Sequence, residues 1–317
     1  MDLNTVTNKL NDEVKQLAIV LVNWNSFELT KDTLTSLQKT SFQNYDCIVV
    51  DNGSVDDSAQ QLLNAFPNII LLKAGENKGF TGGNNIGMQF ALDKGYEYIM
   101  MLNNDVEVAA DFLEPLVEKL NQDKNIGAVQ PLIYFEHDKN IIWNAGATYN
   151  TLLGICATPN YNQRDNTHAQ TKVQKKIDWI TGCAFMIRAS VLQQVGLLKQ
   201  GFFIYYEDVD LSFRIKQAGY QLAYVPASVI YHIAGMSHKS KEKGKEGFVS
   251  PKVHFLNARN RIWFLKEHTP IWAIPTVAMF NAFYFFSIGF YFIFRARWNK
   301  WLSLHKGIWE GLTQRVA

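Results

Sequence analysis

The sequence contains clusters of carboxylate and amide side chains placed directly after apolar runs. Asn103-Asn104-Asp105 follows the apolar segment YIMML. A carboxylate flanked by amides suits a hard, oxygen-preferring cation that keeps some waters and grips a diphosphate. A turn at the end of a strand uses the same residue types, so this cluster alone leaves a metal site and a simple turn both open.

A second cluster, Glu207-Asp208-Val209-Asp210, follows the aromatic run FFIYY. Acidic residues at a helix start commonly complement the helix dipole. Three carboxylates in four positions exceed that need, and buried aromatic neighbours would raise a carboxyl pKa toward that of a useful general base. His232, after ASVIY, is able to bind a metal as a neutral imidazole, although a lone histidine is more often structural.

Asp51 and a glycine-rich run are the remaining candidates. Asp51 ends an apolar run and Gly53 follows it, so its carboxylate could accept hydrogen bonds from a base or a ribose, although a turn plus a helix cap fits equally well. The run GENKGFTGGNN, residues 75–85, precedes a helical segment. Glycines let the backbone approach a ligand, and a helix N-terminus favours anions, so we expect a ligand role.

The elements around these clusters alternate in type. Apolar runs at 17–23, 45–51, 68–73 and 96–105 are separated by helix-period segments at 28–39, 56–66, 82–94 and 109–121. This alternation predicts a doubly wound, mainly parallel α/β sheet, which binds ligands at the carboxyl ends of its strands. Residues 150–176 are predicted to form a loop excursion, and a second ordered block begins at residue 177.

The net charge of +2 conceals an asymmetry. Residues 237–317 contain 13 Lys and Arg against 4 Asp and Glu, whereas residues 1–236 contain 18 against 25. The near-neutral total argues against a dedicated nucleic-acid binder. Three unpaired cysteines predict neither a disulfide framework nor a thiolate zinc site. The polar start of the chain predicts no secretory signal peptide.

Residues 271–294 contain no charge and ten aromatic side chains, with basic residues on both flanks. The stretch is long enough to span a membrane, but basic flanks on both sides conflict with a single span. Because Pro275, Asn281 and Gly289 interrupt it, we expect a monotopic hairpin or a pair of interfacial helices on the inner leaflet of the cytoplasmic membrane. A hydrophobic homodimer interface in a soluble protein is the alternative.

The order of the motifs along the chain resembles the family 2 glycosyltransferases of GT-A fold, particularly bacterial rhamnosyltransferase-like members. These motifs are, in order, LVNWNS, VVDNGS, ENKGFTGGNN, MLNND, WITGCAFMIR, YYEDVDL and VIYH. The resemblance covers residues 17–266, most of the chain. It implies a GT-A catalytic domain over 17–266, between an N-terminal tail (1–16) and a membrane-association region (267–317). It also implies inverting transfer from a nucleotide-sugar, first of all deoxythymidine-diphosphate rhamnose, to a hydroxyl of a lipid-linked glycan in surface polysaccharide synthesis.

The resemblance also implies site roles. Asp208 would be the general base and Glu207 would help to position the acceptor, while Asp105 and His232 would bind Mg²⁺ or Mn²⁺. Donor-binding residues would be Asn23, Asp51, Asn77, Gly79, Gly82, Asn84, Asn103 and Asn104. Acceptor-binding residues would be Trp179, Thr181 and Gly182.

One departure from the family pattern concerns the metal. Asn103 stands where the family usually has Asp, which leaves one fewer negative charge for the cation. Metal affinity is therefore expected to be weak or to depend on the donor diphosphate. Residues 237–250, rich in Lys and Gly, are a candidate lid.

Other functions stay open on the sequence alone. The donor could be another nucleotide hexose, and a nucleotidyltransferase would share a nucleotide-binding sheet and an acidic metal site. The chain could also be a non-catalytic carbohydrate-binding or scaffold protein. Asp208 discriminates among these, because a binder has no need of a base.

Overall fold

The computed structural model describes residues 5–6, 15–165, 177–233, 239–244 and 247–316, and it alternates strands and helices through the first half of the chain. The strands are β1 Thr5–Val6, β2 Leu17–Asn23, β3 Tyr45–Asp51, β4 Ile70–Lys73, β5 Tyr98–Leu102, β6 Val106–Val108, β7 Ile126–Phe135, β8 Ile142–Asn144, β9 Thr148–Asn150, β10 Ile155–Ala157, β11 Ala184–Arg188, β12 Gln221–His232, β13 Lys239–Gly244 and β14 Gly247–Val249. The helices are α1 Phe27–Leu37, α2 Ser58–Ala65, α3 Gly79–Lys94, α4 Leu113–Gln122, α5 Ala189–Val195, α6 Glu207–Gln217, α7 Pro251–His268, α8 Ile274–Phe294 and α9 Trp298–Thr313.

The main sheet has the strand order β1-β4-β3-β2-β5-β11-β7-β12-β6, with β8 paired to β7. Strands β4, β3, β2 and β5 are parallel, as predicted from the alternation of strand and helix. The second half of the sheet is mixed, because β11 is antiparallel to both β5 and β7. The predicted α/β class is therefore confirmed, but the parallel arrangement is limited to the first half and to the pair β7 and β12.

Helices cover both faces of this sheet, and each face has its own apolar core. Helix α3 approaches β2 closely because two glycines face the strand. A Cβ added at Gly83 would lie 2.7 Å from Val22 Cγ1, and one at Gly87 would lie 2.4 Å from Val20 Cγ1. These glycines therefore permit close packing of the helix on the sheet.

The carboxyl-terminal helices form a layer of their own, in which α7 packs against α9 and α8 lies beside them. Together with one preceding 3-10 turn, α8 forms an apolar helix over Ile271–Phe294 that is long enough to cross a membrane. The expected interruptions do not break it. Pro275 lies in its first turn, where the missing N–H has no partner to lose, and Asn281 and Gly289 are buried inside it.

The excursion and the candidate lid contain more strand than the sequence indicated. β10 lies within the predicted excursion 150–176 and pairs antiparallel with β9, which ends at residue 150. Residues 166–176 of the excursion lie outside the described residues. β13 and β14 form an antiparallel pair within the candidate lid. Residues 237–238 and 245–246 of that lid, and most of the predicted tail 1–16, also lie outside the described part of the chain.

Candidate active site

The ends of β2 and β3 form the first part of the site, where Asn23 is the register partner of Asp51. Asp51 is buried, and its Oδ1 has no hydrogen-bond partner within the described residues. A buried acceptor without a donor costs free energy, so a ligand N–H or O–H placed there would be stabilised. The geometry thus favours Asp51 as a group that faces a ligand.

Asn23 lies beside Asp51, but its side-chain amide forms hydrogen bonds with other protein side chains. Its Nδ2 donates to Ser58 Oγ at 2.9 Å and to Ser54 Oγ at 3.3 Å, and its Oδ1 accepts from Thr30 Oγ1 at 2.9 Å. Asn104 Nδ2 donates to the same Thr30 hydroxyl at 2.8 Å. Because Asn23 is completely buried, it fixes this edge from within, and the expected direct contact with a base does not fit its position.

The glycine-rich run is held by amide side chains. Asn52 Nδ2 donates to Gly79 O at 3.0 Å, and Asn52 Oδ1 accepts from Lys78 N at 3.0 Å. Asn77 Oδ1 accepts from Gly79 N at 2.9 Å. Gly79 has φ +72° and approaches the backbone so closely that a Cβ there would lie 2.5 Å from Phe203 O. Asn77 and Gly79 therefore have clear roles in shaping the loop.

Gly82 and Asn84 also make their contacts within the protein. A Cβ at Gly82 would lie 2.4 Å from Lys78 Cβ, and Asn84 Nδ2 donates to Phe80 O at 2.9 Å. Gly79 and Gly82 thus have packing reasons that need no ligand. Direct contact of the run with a donor stays a prediction.

The second part of the site joins Asp105, after β5, to His232, the last residue of β12. His232 Nε2 lies 3.1 Å from Asp105 Oδ1 and 3.4 Å from Asn103 Nδ2. The Trp143 ring meets the imidazole edge to face at 4.5 Å. Burial lowers the pKa of His232, but the adjacent Cys183 and Asp105 raise it, to about 10. The structure therefore brings both predicted metal ligands together.

These groups fit a divalent cation in chemistry. One carboxylate, one imidazole and a nearby amide supply oxygen and nitrogen donors, and His232 Nδ1 is buried with no hydrogen-bond partner in the part of the chain that the structure describes. A single carboxylate would leave most of the coordination shell of such a cation to water and to a bound ligand.

Another acidic and histidine cluster fits a structural role better. Asp210 lies 2.9 Å from His268 Nε2, 3.2 Å from Lys199 Nζ and 2.7 Å from Arg214 Nε. Lys199 also pairs with Glu267. Because two permanent cations already neutralise these carboxylates, the cluster anchors α6 rather than holding a metal.

The third part of the site is the start of α6. Asp208 is half-buried, its Oδ2 accepts from Gly182 N at 2.8 Å and its Oδ1 accepts from Val209 N at 2.8 Å. Burial raises the pKa of Asp208, although these two N–H groups counteract that rise. Glu207 is more deeply buried, and desolvation together with the Asp208 charge raises its pKa well above the ordinary value. Asp208 is thus the more accessible of the two carboxyl groups and the better candidate for a general base.

The loop leading into α6 has an unusual backbone. Phe203, Tyr205 and Tyr206 have φ values of 66°, 76° and 69°. Phe203 forms the centre of a γ-turn, closed by a 2.8 Å hydrogen bond from Ile204 N to Phe202 O. Non-glycine residues in such conformations cost on the order of 1–3 kcal/mol each and persist only when the surroundings hold them. Sequence reasoning gave no sign of this strain.

The predicted acceptor residues Thr181 and Gly182 lie between Asp208 and the segment of residues 103–105. Gly182 N contacts Asp208, and the next carbonyl, Cys183 O, accepts from Asn103 N at 2.9 Å. Thr181 Oγ1 accepts from Cys183 N at 3.3 Å and stabilises this turn.

Trp179 precedes that turn and is half-buried. Its Nε1 donates to Thr148 O at 3.1 Å, and its ring packs beside the apolar cluster that includes Val209. Core packing is therefore a firm role of Trp179, and sugar contact stays a prediction.

Two further residues at the ligand-facing edge escaped sequence reasoning. Asn52 shapes the glycine-rich run, as described above, but the sequence DNGS indicated only a turn. Trp24 directly follows β2, and 52% of its side chain is exposed. An exposed tryptophan next to a strand-end carboxylate is the signal that would have identified it as a candidate for stacking on a base.

The chain matches the family model for glycosyl transferase family 2 over residues 18–196, more than half of its length. It is 24% identical over 275 residues to an N-acetylglucosaminyl-diphospho-decaprenol L-rhamnosyltransferase of Mycobacterium tuberculosis, a match that covers 82% of this chain and 87% of the relative. It is 28% identical over 204 residues to a low-salt glycan biosynthesis hexosyltransferase of Haloferax volcanii, covering 63% of this chain and 62% of that protein.

Solved structures show the same fold. The structure of GalNAc-T7 with UDP, GalNAc and Mn²⁺ matches with a TM-score of 0.59 at 19% identity. The match covers 81% of this chain but only about half, 48%, of that one. A mannosyltransferase from Pyrobaculum calidifontis in complex with GDP-Man and Mn²⁺ matches with a TM-score of 0.55 at 14% identity, over 95% of this chain and 88% of the other.

Proposed function

Because this chain belongs to glycosyl transferase family 2, we propose that it moves rhamnose from deoxythymidine-diphosphate rhamnose to a hydroxyl of a lipid-linked glycan. It is a glycosyltransferase that uses a nucleotide sugar. The choice of rhamnose and of a diphospho-polyprenol acceptor is supported by the name of the mycobacterial relative. The match to a hexosyltransferase makes another nucleotide hexose the second candidate.

The observation that carries the mechanism is the Asp208 carboxylate, held by Gly182 N in a half-buried position. Asp208 accepts the proton of the acceptor hydroxyl while the oxygen of that hydroxyl bonds to the anomeric carbon of the sugar. The bond from that carbon to the diphosphate breaks on the opposite side, the nucleoside diphosphate leaves with the electron pair, and the configuration inverts. Glu207, one residue earlier, is proposed to orient the acceptor.

The donor binds along the ends of the first strands. Asp51 accepts a hydrogen bond from the base or ribose through its Oδ1, which has no partner among the described residues, and the Trp24 ring stacks on the base. Asp105 and His232, with Asn103 nearby, would hold Mg²⁺ or Mn²⁺. When bound, the cation neutralises charge that develops on the departing diphosphate.

The enzyme is proposed to lie on the inner leaflet of the membrane through α8 and α9. Phe283, Phe286 and Phe290 of α8 are each more than 60% exposed and lie on one face. The opposite face follows α7 along its length: Asn281 bonds to Arg261, and the Phe292 ring lies 4.8 Å from His254. A spanning α8 would draw α7 into the lipid with it, so the packing supports a helix that lies in the interface.

The enzymatic proposal is tested with a panel of nucleotide sugars, with and without Mg²⁺ or Mn²⁺, read by release of nucleoside diphosphate. Asp208→Asn should abolish transfer, a loss of about 10²–10⁴-fold, and leave donor binding nearly intact. Asp93→Asn, an exposed carboxylate near the far end of α3, is the control and should behave as wild type. Equal activity of Asp208→Asn and wild type would refute the base assignment.

The membrane proposal is tested by flotation with vesicles containing anionic lipids. The wild-type chain should float, and a triple change of Phe283, Phe286 and Phe290 to Ser should leave it in solution. A homodimer that hides the same face would instead show as a stable dimer without vesicles. A wild-type chain that is monomeric and soluble without detergent, and that ignores the vesicles, would contradict both arrangements.

A further inference from the structure

We infer that Asn260, in the middle of α7, is a positioning residue that fixes the loop Gly201–Tyr206 and, through it, the Asp208 carboxylate. This inference rests on the proposed function, because Asp208 is the base proposed there. Asn260 is completely buried, although it lies within the polar sequence NARNR. A fully buried amide in a helix must satisfy its polar atoms inside the protein.

The NH₂ group of Asn260 donates its hydrogen bonds to backbone carbonyls of the loop. Its Nδ2 donates to the carbonyl oxygens of Phe202, Ile204 and Tyr205, each at 2.9 Å. One side-chain nitrogen thus meets three backbone acceptors of the strained segment described above.

The neighbouring arginine sets the orientation of this amide. Arg259 Nε donates to Asn260 Oδ1 at 3.0 Å, so the amide oxygen faces the arginine and the NH₂ group must face the loop. Arg259 Nη2 also donates to Gly201 O at 2.9 Å and to Phe202 O at 3.2 Å. Two consecutive residues of α7 therefore bind four carbonyls of the loop.

The remaining two carbonyls of the loop bind on either side. Phe203 O accepts from Thr81 N in α3 at 3.1 Å, and Tyr206 O accepts from Asp210 N in α6 at 2.9 Å. Every carbonyl from residue 201 to 206 thus has a donor. Since the positive φ values of the loop are unfavourable by themselves, these donors are what keeps the backbone in this conformation.

The loop matters for catalysis because it ends where the proposed base begins. Tyr206 is the residue before α6, and Asp208 is the second residue of that helix. If the loop relaxed, the first turn of α6 would move and the 2.8 Å contact between Asp208 and Gly182 N would lengthen. A displacement of about 1 Å at a reacting group is enough to lower a rate about 10²-fold.

The test is Asn260→Asp, which keeps the size of the side chain but replaces the donor NH₂ by oxygen. We expect kcat to fall about 10–100-fold, with the KM for the nucleotide sugar selected by the panel unchanged. Amide hydrogen exchange should rise in residues 202–206 and not in α3. Asn257→Asp is the matched control and should leave kcat unchanged, because among the described residues Asn257 Nδ2 bonds only to Val253 O within its own helix.

Arg259→Lys provides a second variant should Asn260→Asp fold poorly. It keeps the charge but loses the Nε donor that orients the amide, so kcat should fall several-fold at constant KM. The inference is overturned if the folded variants keep wild-type kcat, or if they change KM alone. If Asp208→Asn is inactive while Asn260→Asp is fully active, the proposed function stands and only the positioning role fails.

Discussion

Asp51→Asn is the change that tests most directly how the sheet edge binds the donor. The substitution preserves the shape of the side chain and removes the charge of the carboxylate whose Oδ1 is buried and unpartnered among the described residues. A hydrogen bond to a charged group contributes about 1.5–3 kcal/mol. Asparagine keeps an acceptor oxygen, so the change loses only the advantage of a charged over a neutral hydrogen bond, about 1–1.5 kcal/mol. Nucleotide binding should therefore weaken by about 5–13-fold.

The weaker binding should also appear as a smaller stabilisation of the folded protein by the nucleotide during thermal denaturation. A ligand at 100 times its Kd stabilises the folded protein by about 2.7 kcal/mol. At the same concentration, a Kd raised about 5–13-fold leaves about 1.8 to 1.3 kcal/mol. Deoxythymidine diphosphate and uridine diphosphate, each with Mn²⁺, are the probes, measured by titration calorimetry and by thermal denaturation.

The control lies on the same strand. Asp46, near the start of β3, accepts a hydrogen bond from Tyr96 at 2.7 Å, and an asparagine there keeps an acceptor for it. Asp46→Asn should leave both nucleotide affinity and ligand protection as in wild type. If Asp51→Asn folds and binds both nucleotides as tightly as wild type, the assignment of Asp51 to the donor site is wrong.

Three further changes test the surrounding structure. Because the folded state raises the pKa of Glu207, the unfolded chain loses this proton first, and the contribution of this group to stability falls as pH rises above about 4.3. Glu207→Gln should therefore raise Tm more at pH 8 than at pH 5, and an equal gain at both pH values would contradict this. Gly87→Ala should destabilise by about 1–3 kcal/mol in urea, since its Cβ would lie 2.4 Å from Val20 Cγ1; unchanged stability would show that the helix can shift. Asn281→Leu removes the acceptor of Arg261 Nε and should cost about 1–3 kcal/mol in the same assay, whereas a stabilised variant would speak against this buried contact.

The first half of the fold was readable from the sequence because its signals are local. The runs at 17–23 and 45–51 end in a polar residue, and the structure gives β2 and β3 the same bounds. The second half was not readable in this way. β7 contains Pro131 and its partner β12 contains Pro226, and neither proline has an N–H for a central strand. The register between the two strands shifts between Val225 and Val229. Such a shift depends on a distant strand.

The site divides in the same manner. Asp105 and His232 lie 127 residues apart, and the structure brings them to 3.1 Å, but only the order of the motifs, not the residues themselves, predicted this pairing. Asn260 gave no signal, because a polar residue between arginines reads as solvent-exposed. Its partners are backbone carbonyls, which have no residue type and therefore leave no trace in the sequence.

The adjacent carboxylates of α6 show why position rather than residue type assigns the roles. Successive helical residues point about 100° apart, so Glu207 and Asp208 enter different surroundings. Glu207 is only 4% exposed, its Oε2 has no partner in the described part of the chain, and burial together with the Asp208 charge raises its pKa well above the ordinary value. Asp208 has two backbone N–H donors that stabilise its ionised form. A base must be ionised before it can accept a proton, which favours Asp208 over Glu207 as the base. The strained turn at Tyr206 sets where α6 begins, and it therefore decides which of the two carboxylates enters which surroundings.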